Sequence, residues 1–299
     1  MKITITGSLG NVGKPLTKQL VAAGHEVTVI SHSNDRRADI EALGAKAAIG
    51  SIKDAAFLSK AFTGADAIYV MTPPIAVPNN IVDATIDTGK AFATAIKNAK
   101  VPRAVMQSSM GADVANGNGP IRALYNIEKL YSGIDDTSFV FLRAGSFYLN
   151  FLQNIPMIQN MGILGSNLPE DMKFPLAHPV DIATAAARIL QSTFSGKQVR
   201  YIVSDIRTPK EIAKALGTAI GNPGLPWVEF TDEQSVQGMK QAGLPEELAG
   251  LLTEMGAGYR SGKLFRDFEN NGSPVDGKIK LEDFAKEFAG KFKQPVPVG

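Results

Sequence analysis

A short β-branched run, Ile3-Thr4-Ile5-Thr6, leads without interruption into Gly7-Ser8-Leu9-Gly10-Asn11-Val12-Gly13, and this junction restricts the fold more than any other feature of the chain. Glycines at the first, fourth and seventh positions of such a loop let the chain leave a strand in a tight turn and start a helix hard against it. The residues that follow supply the helix. Val12, Leu16, Leu20 and Ala23 are three or four apart, one apolar stripe, and Gly24 stands where such a helix ends. Pro15 falls in the first turn, where a missing N–H is tolerated. Val27 to Ile30 is a second apolar run, and one βαβ unit is complete.

The alternation continues through Ala47 to Ile49, Ala67 to Met71, Ala104 to Met106 and Phe139 to Leu142. These are mostly continuous apolar runs rather than alternating ones, as expected of strands covered by helices on both faces, so the sheet is expected to be parallel. Asn79 to Lys100 reads as a long helix that Val101-Pro102 stops. After Arg143 the regularity is lost: Asn150 to Phe174 is rich in Met, Asn, Gly and Pro, Pro179 to Gln191 reads as a helix, and Val199 to Val203 as a last strand. From Pro209 the pattern is helical, with glycine and proline punctuation, and Lys293 to Gly299 is a proline-rich tail. The expected architecture is α/β, a Rossmann-type doubly wound parallel sheet with a smaller, mainly helical C-terminal region. Its divisions fall at 1–153 with 180–204, and at 154–179 with 205–299.

Composition excludes several function classes. Thirty-one Lys and Arg against 29 Asp and Glu leave a net charge of +2, too little to draw the chain to nucleic acid or anionic lipid. Zero cysteines exclude disulfides and thiolate chemistry. Three histidines without an H-E-x-x-H pattern offer no zinc site, and no G-x-S-x-G elbow occurs. Neither an export signal nor an apolar run of membrane-spanning length is seen, so the expected location is cytoplasmic.

By spacing alone, three such glycines arise by chance about 0.27 times in a chain of this composition. Their place after the first strand and before an amphipathic helix makes Gly7, Ser8, Leu9, Gly10, Asn11, Val12 and Gly13 a dinucleotide loop, with N–H groups of the helix start turned to a diphosphate. A dinucleotide with a free 2′-hydroxyl usually meets Asp or Glu at the second strand's tip. Here the tip reads Ile30-Ser31-His32-Ser33-Asn34-Asp35-Arg36-Arg37. Ser31, His32 and Arg36 suit a 2′-phosphate, so NADP is the expected cofactor. In the alternative, Arg36 and Arg37 only face water and Asp35 is the acid, displaced by a loop. Ile52, after the third strand, and Met71, Thr72 and Pro73, leading into Pro74 after the fourth, are placed beside the adenosine and ribose.

With these residues the chain resembles the NmrA-like group of atypical short-chain dehydrogenases/reductases. The likeness rests on Thr6-Gly7-x-x-Gly10-x-x-Gly13, Gly64-Ala65-Asp66-Ala67, Ser108-Ser109-Met110-Gly111-Ala112, Gly119-Pro120-Ile121, Tyr125-Asn126-Ile127-Glu128 and Leu142-Arg143-Ala144-Gly145-x-Phe147-x-x-Asn150. It covers about residues 1 to 190 and thins out afterwards. Ser51 stands where the family often has Asp, and Ser31 where it often has Arg. The resemblance implies quinone and dye reductases, ring-reducing enzymes, or regulators that bind nucleotide without turning it over.

Tyr125 and Lys129 are four apart on one helix face, and a nearby ammonium favours a phenolate. With Ser108 or Ser109 at the end of the fifth strand they outline the short-chain dehydrogenase triad: Tyr125 as proton donor, Lys129 as its partner and a ribose ligand, and Ser108 orienting a carbonyl. A second Tyr-x-x-x-Lys match, Tyr259 to Lys263, reads as accidental. Water can also deliver the proton, leaving Tyr125 to line a pocket. Met110, Phe147, Tyr148 and Phe151, with Met157 and Met161, form an apolar wall for a flat substrate, although core packing explains them as well. His178-Pro179-Val180-Asp181 reads as the start of a helix, and Asp276-Gly277-Lys278-Ile279 as a turn rather than a calcium loop. The leading expectation is an NADPH-dependent reductase of a small apolar acceptor, a quinone or an activated alkene or carbonyl. The alternatives are a non-catalytic NADP-sensing protein that controls a protein partner, and an isomerase that keeps its nucleotide. The sequence leaves the oligomeric state open.

Overall fold

The computed structural model describes residues 1–73 and 79–294. Six strands carry the first half: β1 (Lys2–Ile5), β2 (Glu26–Ser31), β3 (Lys46–Ile49), β4 (Ala67–Val70), β5 (Arg103–Ser109) and β6 (Ser138–Ala144). Between them run α1 (Gly13–Ala22), α2 (Arg37–Ala42), α3 (Ala55–Phe62), α4 (Ile81–Ala99) and α5 (Ile121–Ser132). With the later strand Lys197–Ile202 beside β6, the spatial order is β3-β2-β1-β4-β5-β6 and then Lys197–Ile202, and every pairing is parallel. This is a Rossmann-type doubly wound sheet, whose order reverses between β1 and β4.

Both faces are dry. Ile3, Ile5, Val27, Val29, Tyr69, Val105 and Leu142 meet Leu16 and Leu20 of α1 and Ile182, Ala186 and Leu190 of the helix Pro179–Gln191. On the other face Ile30, Ile68, Val70, Met106 and Phe141 meet Leu58 and Phe62 of α3, Phe92 and Ile96 of α4, and Ile127 and Tyr131 of α5. Ala23 is not part of the stripe on α1; it is exposed, in the turn where the helix ends. That end is closed by bonds from Gly24 N to the Val21 carbonyl at 2.9 Å and from His25 N to the Leu20 carbonyl at 3.1 Å, with Gly24 at φ +79°.

A second core lies against the carboxyl end of β6. Leu164–Ser166 pairs in parallel with Trp227–Glu229, and Phe174–Ala177 lies between Ser146–Phe147 and Asp205–Arg207. Helices Pro209–Ala219, Asp232–Gln241, Glu246–Arg260 and Leu281–Phe292 surround these strands, the first two opened by capping boxes at Thr208/Glu211 and Thr231/Gln234. Aromatic rings fill the interior, among them Tyr148 on Phe284 with centroids 5.2 Å apart and Phe174 edge-on to Tyr259 at 5.0 Å.

The two cores are latched. Asp181 Oδ2 accepts from Ser204 Oγ at 2.7 Å and from Ile279 N at 3.0 Å. A Cβ on Gly277 would lie 2.6 Å from Ser204 Cα and 2.7 Å from Asp181 Oδ2. Asp181 therefore serves packing, and His178 caps its helix, Nδ1 accepting from Val180 N at 3.2 Å. Of the proline-rich tail, residues 295–299 lie outside the described residues.

Candidate functional site

The glycine loop lies at the carboxyl end of β1, at the point where the strand order reverses. Thr6 fixes its start: Thr6 N donates to the Tyr69 carbonyl at 3.0 Å, and Thr6 Oγ1 accepts from Met71 N at 2.9 Å. Gly7 then takes φ +91° and Ser8 φ +52°. A Cβ at Gly13 would stand 2.2 Å from the Ser8 carbonyl oxygen, so only glycine lets α1 begin this close to the loop. At Gly10 the nearest atom would be the Gly7 carbonyl oxygen at 3.1 Å, a milder conflict. Among the described residues, no hydrogen bond uses the N–H groups of Leu9, Asn11, Val12 or Gly13. Four free donors at one helix start form an anion cradle.

The first half of the loop borders a cleft of about 510 Å³ lined by Gly7, Ser8, Leu9, Gly10, His32, Ser33, Asp35, Arg36 and Asp39. The structure thus brings the first loop together with His32 and Arg36. Ser31 is buried and braces the loop, its Oγ accepting from Ser8 Oγ at 3.0 Å. Asp35 N donates to Ser33 Oγ at 3.2 Å, and Ser33 Oγ donates to Asp35 Oδ2 at 3.1 Å. Arg36 Nη1 lies 3.7 Å from Asp39 Oδ2, and both side chains are exposed. Met71 packs against Gly7, Ile52 is half-buried behind β2, and Pro73 is half-buried. Thr72 Oγ1 is buried without a hydrogen bond to any described residue, and Pro74 lies outside them.

The expected triad is arranged differently. Lys129 Nζ sits over the Tyr125 ring, 5.1 Å from its centroid, and among the described residues Ser108 hydrogen-bonds to neither; its hydroxyl donates to Glu128 Oε1 at 2.5 Å. Glu128 also accepts from Arg143 Nε at 3.1 Å and Nη2 at 2.7 Å. Ser108, Arg143 and Tyr201 stand side by side in register across three parallel strands. Arg143 Nη1 then reaches Asp267 Oδ2 at 2.9 Å and Asp113 Oδ1 at 3.6 Å. Tyr201 donates to the same Asp267 oxygen. Burial raises the Asp113 carboxyl above its ordinary value, partly offset by its backbone hydrogen bond and by Arg143.

Sequence reasoning passed over Glu128, Arg143 and Asp267 as functional groups. A signal existed for the first two: Arg143 interrupts the apolar run of β6, and Glu128 interrupts the stripe Ile121, Leu124, Tyr131 on α5. Of the proposed acceptor wall, Tyr148 and Met110 are buried in the second core, Phe147 and Phe151 are half-buried, and Met161 is exposed. No helix among the described residues is long and apolar enough to cross a membrane.

Comparison with known proteins follows this geometry. The sequence profile of the NmrA-like family matches residues 1–282. An NAD(P)H azoreductase of Xenophilus azovorans is 25% identical over 297 residues, 97% of this chain and 99% of that protein. An NADPH-dependent quinone oxidoreductase of Escherichia coli, solved with NADPH, superposes with a TM-score of 0.80 at 22% identity, over 95% of this chain and 99% of that one. The Citrobacter sp. triphenylmethane reductase, solved with NADP(H), gives a TM-score of 0.80 at 17% identity over 96% and 99%.

Proposed function

The chain belongs to the NmrA-like family, and on that premise we propose that it is an NADPH-dependent reductase that passes hydride to a small apolar acceptor, a quinone first among them. The observation that carries the reading is the set of free N–H groups at Leu9, Asn11, Val12 and Gly13, on a loop whose Gly7 to Gly10 line the same cleft as Arg36 and His32. Relatives named as an azoreductase, a quinone oxidoreductase and a dye reductase support the acceptor class.

The four N–H groups would hold the diphosphate, and His32 and Arg36 the 2′-phosphate. Ser31 acts one step back, keeping Ser8 and the loop in place. Bound NADPH supplies the hydride. Reducing a quinone to its hydroquinone takes up one proton beside the hydride; Tyr125, half-buried on α5, is assigned to deliver it and to be reprotonated from solvent. Lys129, over the Tyr125 ring, holds it in place and carries the positive charge expected beside the nicotinamide ribose. Ser108 does not orient the acceptor by donation, because its proton is directed at Glu128. Residues 1–153 with 180–204 form the nucleotide-binding part. Residues 154–179 with 205–299 form the acceptor part, where Phe147 and Phe151 border the seam.

The test is a fluorescence titration with NADPH, then NADPH consumption with a panel of quinones and enones, with NADH in parallel. Binding followed by acceptor-dependent consumption is expected. Binding without consumption by any acceptor would replace the reductase with a nucleotide-sensing protein, and no binding of either nucleotide would overturn the cofactor reading.

A further inference from the structure

The cleft is not the uniformly basic site that a 2′-phosphate alone would call for. Its lining carries one guanidinium, Arg36, against two carboxylates, Asp35 and Asp39. The two acids are held differently. Asp35 is tied to its own turn through Ser33, while Asp39, one helical turn beyond Arg36, faces the guanidinium at 3.7 Å. An anion approaching Arg36 must therefore compete with a carboxylate already beside it, and it also meets that carboxylate's repulsion.

Resting on the nucleotide-binding reading above, we infer that Asp39 is a specificity-determining residue: by holding Arg36 and adding a negative charge to the cleft, it weakens the preference for NADPH and lets NADH use the same site. Both partners are exposed, so the effect is that of one charge pair in nearly aqueous dielectric, screened by salt. Acting on a phosphate of nearly two charges, such a pair is worth about three- to tenfold in affinity. A dinucleotide without the 2′-phosphate places no charge there and is almost indifferent to Asp39.

The measurement is the dissociation constant of NADPH and of NADH, by nucleotide fluorescence, for the native chain, Asp39→Asn, Arg36→Ala and the double variant, at about 0.05 M and 0.15 M salt. The native chain is expected to bind both nucleotides within about tenfold of each other. Asp39→Asn should tighten NADPH about three- to tenfold, more at low salt, and leave NADH within about twofold. In the Arg36→Ala background the gain on NADPH should shrink, because there is no longer a guanidinium to release. Binding of both nucleotides with no change in their ratio on Asp39→Asn would overturn the inference and leave the cofactor reading standing. Equal tightening of both would also overturn it, and failure of the native chain to bind either would remove both readings together.

Discussion

Replacing Glu128 by glutamine keeps the volume and removes one charge and one acceptor. All three groups facing the carboxylate are donors: the Ser108 hydroxyl and the Nε and Nη2 groups of Arg143. Ser108 can turn its hydroxyl to accept from the new amide, but a guanidinium N–H cannot, so either amide orientation leaves one Arg143 donor facing another donor. Removing one partner of a buried ion pair costs about 3–5 kcal/mol. Arg143 keeps Asp267 at 2.9 Å and Asp113 at 3.6 Å, which places the loss at the low end, about 3 kcal/mol. For a chain of 299 residues, at about 2.1 cal/mol/K of unfolding entropy per residue, that is a fall in Tm of about 5 °C. The assay is calorimetry of Glu128→Gln beside Glu254→Gln, which breaks the half-exposed pair Arg122–Glu254 at 3.9 Å and should cost under about 1 kcal/mol. If Glu128→Gln lost no more than Glu254→Gln, the account of Arg143 as a charge dependent on Glu128 would be refuted.

Gly13→Ala, whose Cβ meets the Ser8 carbonyl oxygen at 2.2 Å, is expected to weaken NADPH binding at least about tenfold, and more than Gly10→Ala, whose closest approach is 3.1 Å; equal losses in a fluorescence titration would contradict the proposed closure of the loop. Tyr125→Phe should lower kcat about 10²-fold while leaving the NADPH dissociation constant unchanged, and unchanged kcat would assign the proton to water. Burial raises the Asp113 carboxyl in the folded chain, so the stability linked to its proton is present in full below about pH 3.8 and is lost as pH rises through the raised value. Asp113→Asn should therefore raise Tm at pH 7 and show little gain near pH 4; a gain that grew toward acid would reverse the sign of that linkage.

Most of the sheet could be read in the chain because its strands are buried on both faces, which leaves uninterrupted apolar runs. β5 is longer than its apolar centre, Ala104 to Met106. Gln107 and Ser108 continue the strand because each polar side chain has a partner, Gln107 in the Tyr69 hydroxyl and Ser108 in Glu128. The three-residue pair Leu164–Ser166 and Trp227–Glu229 joins segments about sixty residues apart and has no local signature. At the site, the loop and the basic tip of β2 were legible because their geometry is local. Glu128 and Arg143 were legible only as charges in apolar stripes, and Asp267 not at all, since its meaning depends on a partner 124 positions away. Tyr148, expected on the acceptor wall, has a ring equally suited to packing, and Phe284 from the last helix covers it.

That separation also fixes an order of events during synthesis. The strands around the glycine loop are available once β6 has emerged, yet Arg143 in β6 then lacks Tyr201 and Asp267, 58 and 124 residues later in the chain. At about 5–20 residues per second the guanidinium waits roughly 6–25 s for its last carboxylate. Throughout that interval Glu128 is the partner that lets a charge stay at the edge of an otherwise apolar sheet, so the first six strands can pair before the second core exists, while the charge cluster around Arg143 is completed only when the chain is nearly whole.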